Sequence, residues 1–102
     1  LYYRLSTGLS FRNYLEAALT TFQSFKSDYP DSKFNEELMF LSVETSFKLA
    51  NNSIYELRKE RFDKTLGLYK DFVDRFPISE YTDQAKDYFD RSSNELNKLK
   101  TN

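Results

Sequence analysis

Apolar residues recur every three or four positions over most of this chain, which is the spacing of one face of an α-helix. The first long stripe includes Leu15, Leu19 and Phe22. It ends at Pro30, because the residue before a proline avoids the helical backbone conformation. Interruptions of the pattern predict five helices, at about 1–6, 11–28, 33–51, 55–76 and 80–100.

Two of these predicted helices differ in how widely their apolar residues are spread. The helix at 33–51 is apolar around much of its circumference, which predicts neighbours on two sides. The helix at 80–100 has one apolar stripe and a charged back, which is typical of a helix that ends a stack. At the other end of the chain, Gly8 is the expected stop of the first helix. Residues 9–13 are the expected loop and entry to the next helix, with Ser10 as a candidate N-cap.

One motif occurs twice along the chain, 47 residues apart. The residues are Phe22-x-x-Phe25-x-x-x-Tyr29-Pro30-x-Ser32-x-Phe34 and Tyr69-x-x-Phe72-x-x-x-Phe76-Pro77-x-Ser79-x-Tyr81. A fixed period of this size is the signature of stacked helical repeats. We therefore predict an all-α fold, an α-solenoid of antiparallel helix pairs joined by short loops, in one domain over residues 1–102.

The aromatic residues of this motif lie at helical spacing, which favours packing over a base-stacking platform. Tyr29 and Phe76 directly precede the two prolines of the chain. We expect them to lock each corner against the following helix, through Phe34 and Tyr81.

Composition restricts the chemistry that the chain can perform. It has no His and no Cys, so thiol and imidazole catalysis are excluded and only oxygen ligands remain for a metal. The closest carboxylate pairs are Glu36 with Glu37 and Glu56 with Glu60, which fit a helix start and a solvated i,i+4 face. We therefore predict no enzyme activity, no cofactor and no metal site.

Charge and hydropathy also argue against two classes of partner. With 16 acidic and 15 basic residues, the net charge is −1, so the chain has no basic surface suited to nucleic acid. No apolar run reaches about 18 residues, which argues against direct membrane insertion. The chain begins at Leu1 inside a predicted helix, so we expect a fragment of a longer protein. An apolar edge around Leu1, Tyr2 and Leu5 predicts artificial dimerisation of such a fragment.

The corner Tyr29-Pro30-Asp31-Ser32, with Ala18 and Phe22 before it, resembles the helix–turn–helix of tetratricopeptide (TPR) repeats. The usual TPR period is 34 residues, so the repeat here is stretched. The long period, together with Glu-Thr-Ser-Phe-Lys-Leu-Ala-Asn-Asn-Ser at 44–53 and Lys-Glu-Arg-Phe at 59–62, resembles the BamD (YfiO) family in its Bacteroidetes-like form. These are TPR lipoproteins of the outer-membrane β-barrel assembly machinery, and the resemblance would place the chain in their C-terminal part.

The resemblance implies a non-catalytic protein-binding scaffold on the periplasmic face of the outer membrane. An N-terminal lipid outside this sequence would anchor it, and its partner would be the periplasmic domains of the barrel-inserting subunit BamA. No individual binding residue is carried over from the family. Three alternatives stay open: a periplasmic adaptor similar to CpoB of the Tol–Pal system, an accessory TPR domain of an enzyme that lies outside this sequence, and an RNA-binding repeat, which the charge balance disfavours.

Two surfaces are candidates for partner binding. In TPR folds the first helix of each pair lines the groove, and the helices at 33–51 and 80–100 would take that place here. The first candidate is one line on the 33–51 helix, formed by Glu37, Leu41, Glu44 and Lys48. The second candidate is basic and lies at the overhanging start of the 55–76 helix, with Arg58, Lys59 and Arg61. For both, the competing interpretation is a solvated helix face.

Overall fold

The computed structural model describes residues 8–100, which form four α-helices and no strand. The helices are α1 (Gly8–Asp28), α2 (Asn35–Asn51), α3 (Tyr55–Arg75) and α4 (Thr82–Lys100). The all-α prediction is therefore confirmed. The helix predicted at 1–6 and the apolar edge around Leu1, Tyr2 and Leu5 lie outside the described residues.

The start of α1 differs from the prediction. Residues 8–10 are already helical, so the loop expected before the helix at 11–28 is wrong. The helix that Gly8 was expected to stop lies outside the described residues. Ser10 lies inside the first turns rather than at an N-cap. Phe11 and Leu15 pack in one apolar cluster with Leu49 of α2. Packing of this kind favours helix over the local preference of a glycine.

The helix boundaries repeat with the period of the motif. α1 ends at Asp28 and α3 ends at Arg75, which are 47 residues apart. α2 and α4 begin at Asn35 and Thr82, again 47 residues apart. The sequence repeat is therefore a repeat of structure, in which one unit is a long helix, a corner and the helix after that corner. Counted in this way, α2 and α4 are the second helices of their units, although we expected them, from the sequence, to be the first helices of TPR pairs.

The two corners also share their hydrogen bonds. In each, the hydroxyl of the serine that follows the proline accepts a bond from a backbone N–H two residues later, at 3.1 Å for Ser32 Oγ and 3.1 Å for Ser79 Oγ. This local bond closes the turn that precedes the second helix of each unit. The N-cap position of α2 itself is Phe34, which has no side-chain cap bond. The first corner is further fixed by Asn35, which is fully buried and donates from Nδ2 to the carbonyls of Tyr29 and Pro30.

α2 lies in the middle of the molecule and packs against α1, α3 and α4, as its wide apolar surface predicts. It is antiparallel to α3, since Phe47 meets Phe62 near one end and Phe40 meets Phe72 near the other. It is parallel to α4, where Phe40 stacks on Tyr81 with ring centroids 4.8 Å apart. α1 and α3 thus form one layer and α2 and α4 the other. The slab is 20 Å thick, the width of two helices.

The aromatic corners are buried in one unit and exposed in the other. Phe76 and Tyr81 are half-buried and each packs on the main core cluster. That Phe76 holds the second corner through Tyr81 stays a prediction. Tyr29 and Phe34 are 59% and 54% exposed, so the prediction for the first corner is wrong. The second corner is covered by α2, and no helix among residues 8–100 occupies the equivalent place beside the first.

The outer face of α4 is polar, as the single apolar stripe predicts. Five core positions of α2 each have a charged or amide residue 47 positions later on α4, and all five are exposed. The pairs are Met39 and Lys86, Phe40 and Asp87, Val43 and Asp90, Phe47 and Asn94, and Ala50 and Asn97. α4 therefore closes one side of the stack.

Candidate protein-binding surfaces

The first predicted surface lies on the layer that α2 shares with α4. We call its four residues, Glu37, Leu41, Glu44 and Lys48, the α2 line. Glu37 and Lys48 are exposed, and Leu41 is half-buried against the core. Glu44 is half-buried and faces α4. The two ends of the line are therefore exposed to solvent, and its middle lies at the seam between α2 and α4.

Tyr88 of α4 meets the α2 line at this seam. Its hydroxyl donates a hydrogen bond of 2.8 Å to Glu44 Oε2. Burial, followed by this bond to a carboxylate, raises the pKa of Tyr88 to about 12. The phenol therefore stays protonated at neutral pH and holds the Glu44 carboxylate in one orientation.

Arg91 completes the seam on the α4 side. Its guanidinium lies 4.6 Å from the centroid of the Phe47 ring and 6.0 Å from that of Tyr88. The sequence reasoning missed both Tyr88 and Arg91. A signal was present, because they occupy the positions 47 residues after Leu41 and Glu44.

The face continues from the seam onto α4. A shallow hollow of about 330 Å³ is lined by Asp83, Gln84, Asp87 and Tyr88. Charges of both signs thus surround a few partly buried apolar and aromatic side chains. This mixture suits a protein interface with a small apolar centre and a polar rim. It offers no enclosed cavity for a small molecule.

The second predicted surface is occupied by contacts within the chain. Arg58 pairs with Glu95 of α4 at 3.2 Å and lies over the Phe62 ring. Arg61 pairs with Glu16 of α1 at 3.1 Å and donates to Ser53 Oγ at 2.6 Å. Both are half-buried, so the start of α3 does not overhang the stack. These two arginines tie α3 to its neighbours. Lys59 is exposed and pairs with Asp63 within the helix.

A groove between α1 and α3 was not predicted. It has two lobes of about 250 and 510 Å³, which share Gln23. Met39 of α2 lies in the floor of one lobe and Leu49 in that of the other, while Lys26 and Asp71 line the first lobe from opposite helices. The groove arises because α1 and α3 pack on α2 rather than closely on each other, a spacing that sequence periodicity does not report.

Clusters of potential metal ligands are absent from the part of the chain that the structure describes. No group of three or more Asp, Glu, His or Cys side chains within residues 8–100 is placed to hold a metal ion. None of the four helices described combines the length and apolarity needed to cross a bilayer.

Comparisons with known proteins give no family for this chain. It matches none of the protein-family models searched, and no curated protein matches it either.

Proposed function

We propose that this protein is a non-catalytic scaffold that binds another protein through the face formed by α2 and α4. The observation that carries the proposal is the 47-residue structural repeat, which stacks two equivalent units into a preformed two-layer slab. A preformed surface binds without the entropic cost of ordering its own backbone. Repeat folds of this kind present extended surfaces for partners.

The α2 line supplies the chemistry of the proposed contact. Glu37 and Lys48 are exposed and carry opposite charges, about 11 residues or three helical turns apart. Leu41 lies between them as the apolar centre. Glu44 is held by the Tyr88 hydroxyl, so a charged acceptor is already oriented before a partner arrives. Opposite charges at the two ends of the line would set the orientation of the partner.

The resemblance to the BamD family supports a specific partner and location. On that basis the partner is the periplasmic part of a BamA-like subunit, and the chain acts at the periplasmic face of the outer membrane as part of a lipid-anchored protein. The Tyr-Pro-x-Ser corners and the run at 44–53 support this step. The choice of this partner rests on the sequence resemblance. The shape of the slab supports only the binding of a protein.

A charge-swap variant tests the proposal with purified BamA periplasmic domains. Glu37→Lys combined with Lys48→Glu reverses both ends of the α2 line and leaves the net charge unchanged. We expect titration calorimetry to give binding that is at least about tenfold weaker than for the unaltered chain.

The matched control is Glu60→Lys with Lys64→Glu, which swaps two exposed charges one turn apart on α3. It should bind like the unaltered chain. Weaker binding for the control alone would move the site to the groove between α1 and α3. If the BamA domains fail to bind the unaltered chain, the proposed partner is wrong.

A further inference from the structure

The internal repeat shows how the molecule covers one of its own aromatic faces. Phe40 of α2 inserts its ring among three side chains of the second unit. Its centroid lies 6.5 Å from Phe72, 4.8 Å from Tyr81 and 6.5 Å from Tyr88. Phe72 is fully buried as a result. This is a ring-in-hole contact between a helix and the unit that follows it.

The equivalent hole in the first unit has no ring in it among the described residues. Its three walls are the residues 47 positions earlier, Phe25, Phe34 and Leu41. Phe25 and Leu41 are half-buried and Phe34 is 54% exposed. Tyr29 extends the same face, with its ring 5.0 Å from Phe25 and 59% of its surface exposed. We call this surface the open face. It consists of the three walls of the hole, Phe25, Phe34 and Leu41, together with Tyr29.

A polar feature of the second unit is also repeated in the first. Ser79 Oγ donates a hydrogen bond of 2.6 Å to Glu36 Oε2, four residues before the inserted Phe40. Ser32 is the equivalent serine and has the same local bond from a backbone N–H. Lys33 also lies at this face, with its ammonium 5.4 Å from the Phe34 ring. A carboxylate on an incoming helix would therefore meet a hydroxyl donor and a cation.

We propose that the open face binds an amphipathic α-helix of the α2 type, with an aromatic residue for the hole and a carboxylate four residues before it. The occupant is inferred from the contact that α2 makes with the second unit. α4, on the other side of the molecule, cannot insert a ring into a hole of this kind, because it has Asp87 where α2 has Phe40. Addition to the stack is thus directional, at the open face only.

A synthetic peptide of the α2 sequence, residues 33–52, tests this inference with the full chain. We expect the peptide to bind and to shift the amide resonances around Phe25, Tyr29 and Phe34. Phe34→Ser in the protein should weaken binding at least about tenfold, and Phe40→Ser in the peptide should do the same. The peptide change leaves the protein untouched, so its effect does not depend on how the protein variant folds.

Ile78→Ser is the matched control, since Ile78 is 96% exposed and lies in the other corner, away from the open face. It should leave peptide binding unchanged. Equal binding of the unaltered and Phe40→Ser peptides would overturn the proposal. A second result would also overturn it: the peptide fails to bind, and the chain self-associates with rising concentration in a way that Phe34→Ser abolishes. The occupant of the open face would then be a second copy of the chain. The open face shares Leu41 with the α2 line, but the changes made here, at Phe34 and in the peptide, leave the α2 line of the protein intact. Failure of the peptide to bind therefore leaves the proposed function standing.

Discussion

Tyr88 lies in surroundings that change its titration. It is half-buried, donates to Glu44 and packs on the Phe47 ring at 5.2 Å. The pKa of about 12 lies above the ordinary value of 10.0. A raised pKa in the folded state means that the protonated phenol is stabilised by folding.

This contribution has a defined pH window. It is complete below the ordinary pKa of 10.0 and is lost as the pH rises through about 12. We expect an absorbance titration of tyrosinate to show one component near pH 12, which Tyr88→Phe removes. Glu44→Gln should move that component to lower pH, because the carboxylate contributes to the shift. An unchanged titration in the Gln variant would contradict the role of Glu44.

A buried hydroxyl pair joins α2 to α3 at the residue scale. Ser46 Oγ and Thr65 Oγ1 lie 2.8 Å apart, and their residues are 2% and 0% exposed. Thr65→Val keeps the shape and leaves the Ser46 hydroxyl without this partner. We expect a loss of about 1–2 kcal/mol in the free energy of unfolding, measured with urea.

The double variant Ser46→Ala with Thr65→Val serves as its control. Removing both hydroxyls leaves neither unpaired, so part of the lost stability should return. The double variant could instead lose about 1–2 kcal/mol more of its free energy of unfolding, as much as Thr65→Val itself loses. The two hydroxyls would then act independently, and the interpretation fails.

At the scale of elements, the two corners are the same motif in different surroundings. Ser32 and Ser79 make the same local bond, but only Ser79 also donates to α2, through Glu36. The second corner therefore fastens its helix pair to the preceding unit, and the first corner presents the same groups outward.

Alanine substitution of the two serines should separate these roles. We expect Ser32→Ala to cost about 0.5–1 kcal/mol in the free energy of unfolding, the usual effect of losing one local hydrogen bond from a side chain to the backbone. Ser79→Ala should cost about 1–2 kcal/mol, because the bond to Glu36 is lost as well. Thermal unfolding of the two variants gives the comparison. Equal losses would mean that the bond to Glu36 adds nothing to stability.

For the whole molecule, the core is shared unequally among the helices. α2, α3 and α4 meet in two clusters, one around Phe40 and Phe72 and the other around Phe47 and Phe62. α1 contributes Leu15 and Leu19 to a third, smaller cluster. By contacts within residues 8–100 alone, α1 is therefore held by less buried apolar surface than its neighbours.

Native-state hydrogen exchange should report this difference. We expect the most protected amides of α1 to exchange at least about tenfold faster than those of α2, because α1 detaches before the rest unfolds. The mid-helix amides of α3 provide the internal reference. Uniform protection across all four helices would show that the slab opens only as one unit.

Part of this architecture could be predicted from the sequence because it depends on neighbours along the chain. Helices, corners and the 47-residue period follow from three- and four-residue spacing and from Pro30 and Pro77. The polar outer face of α4 is equally visible in the sequence. Where the prediction failed, as at residues 8–10, contacts with another helix outweighed the local signal of Gly8.

The candidate surface was predicted only in part. The α2 line was found from helical spacing, but its partners Tyr88 and Arg91 lie on α4 and were missed. Arg58 and Arg61 were proposed for a partner, yet they pair with Glu95 and Glu16, which are 37 and 45 residues away. Side-chain spacing within one helix cannot reveal a pair formed between two helices.

The sequence by itself determined that this protein is helical and repetitive, because both properties arise from local backbone preference and apolar periodicity. Only the tertiary structure decided which copy of each repeated group is used internally. Phe76 and Tyr81 are covered by α2, whereas Tyr29 and Phe34 remain exposed, although the motif is the same. The physical reason is that an aromatic side chain is buried only when another helix packs against it. Within residues 8–100, α2 packs against the second corner and no helix packs in the same way against the first.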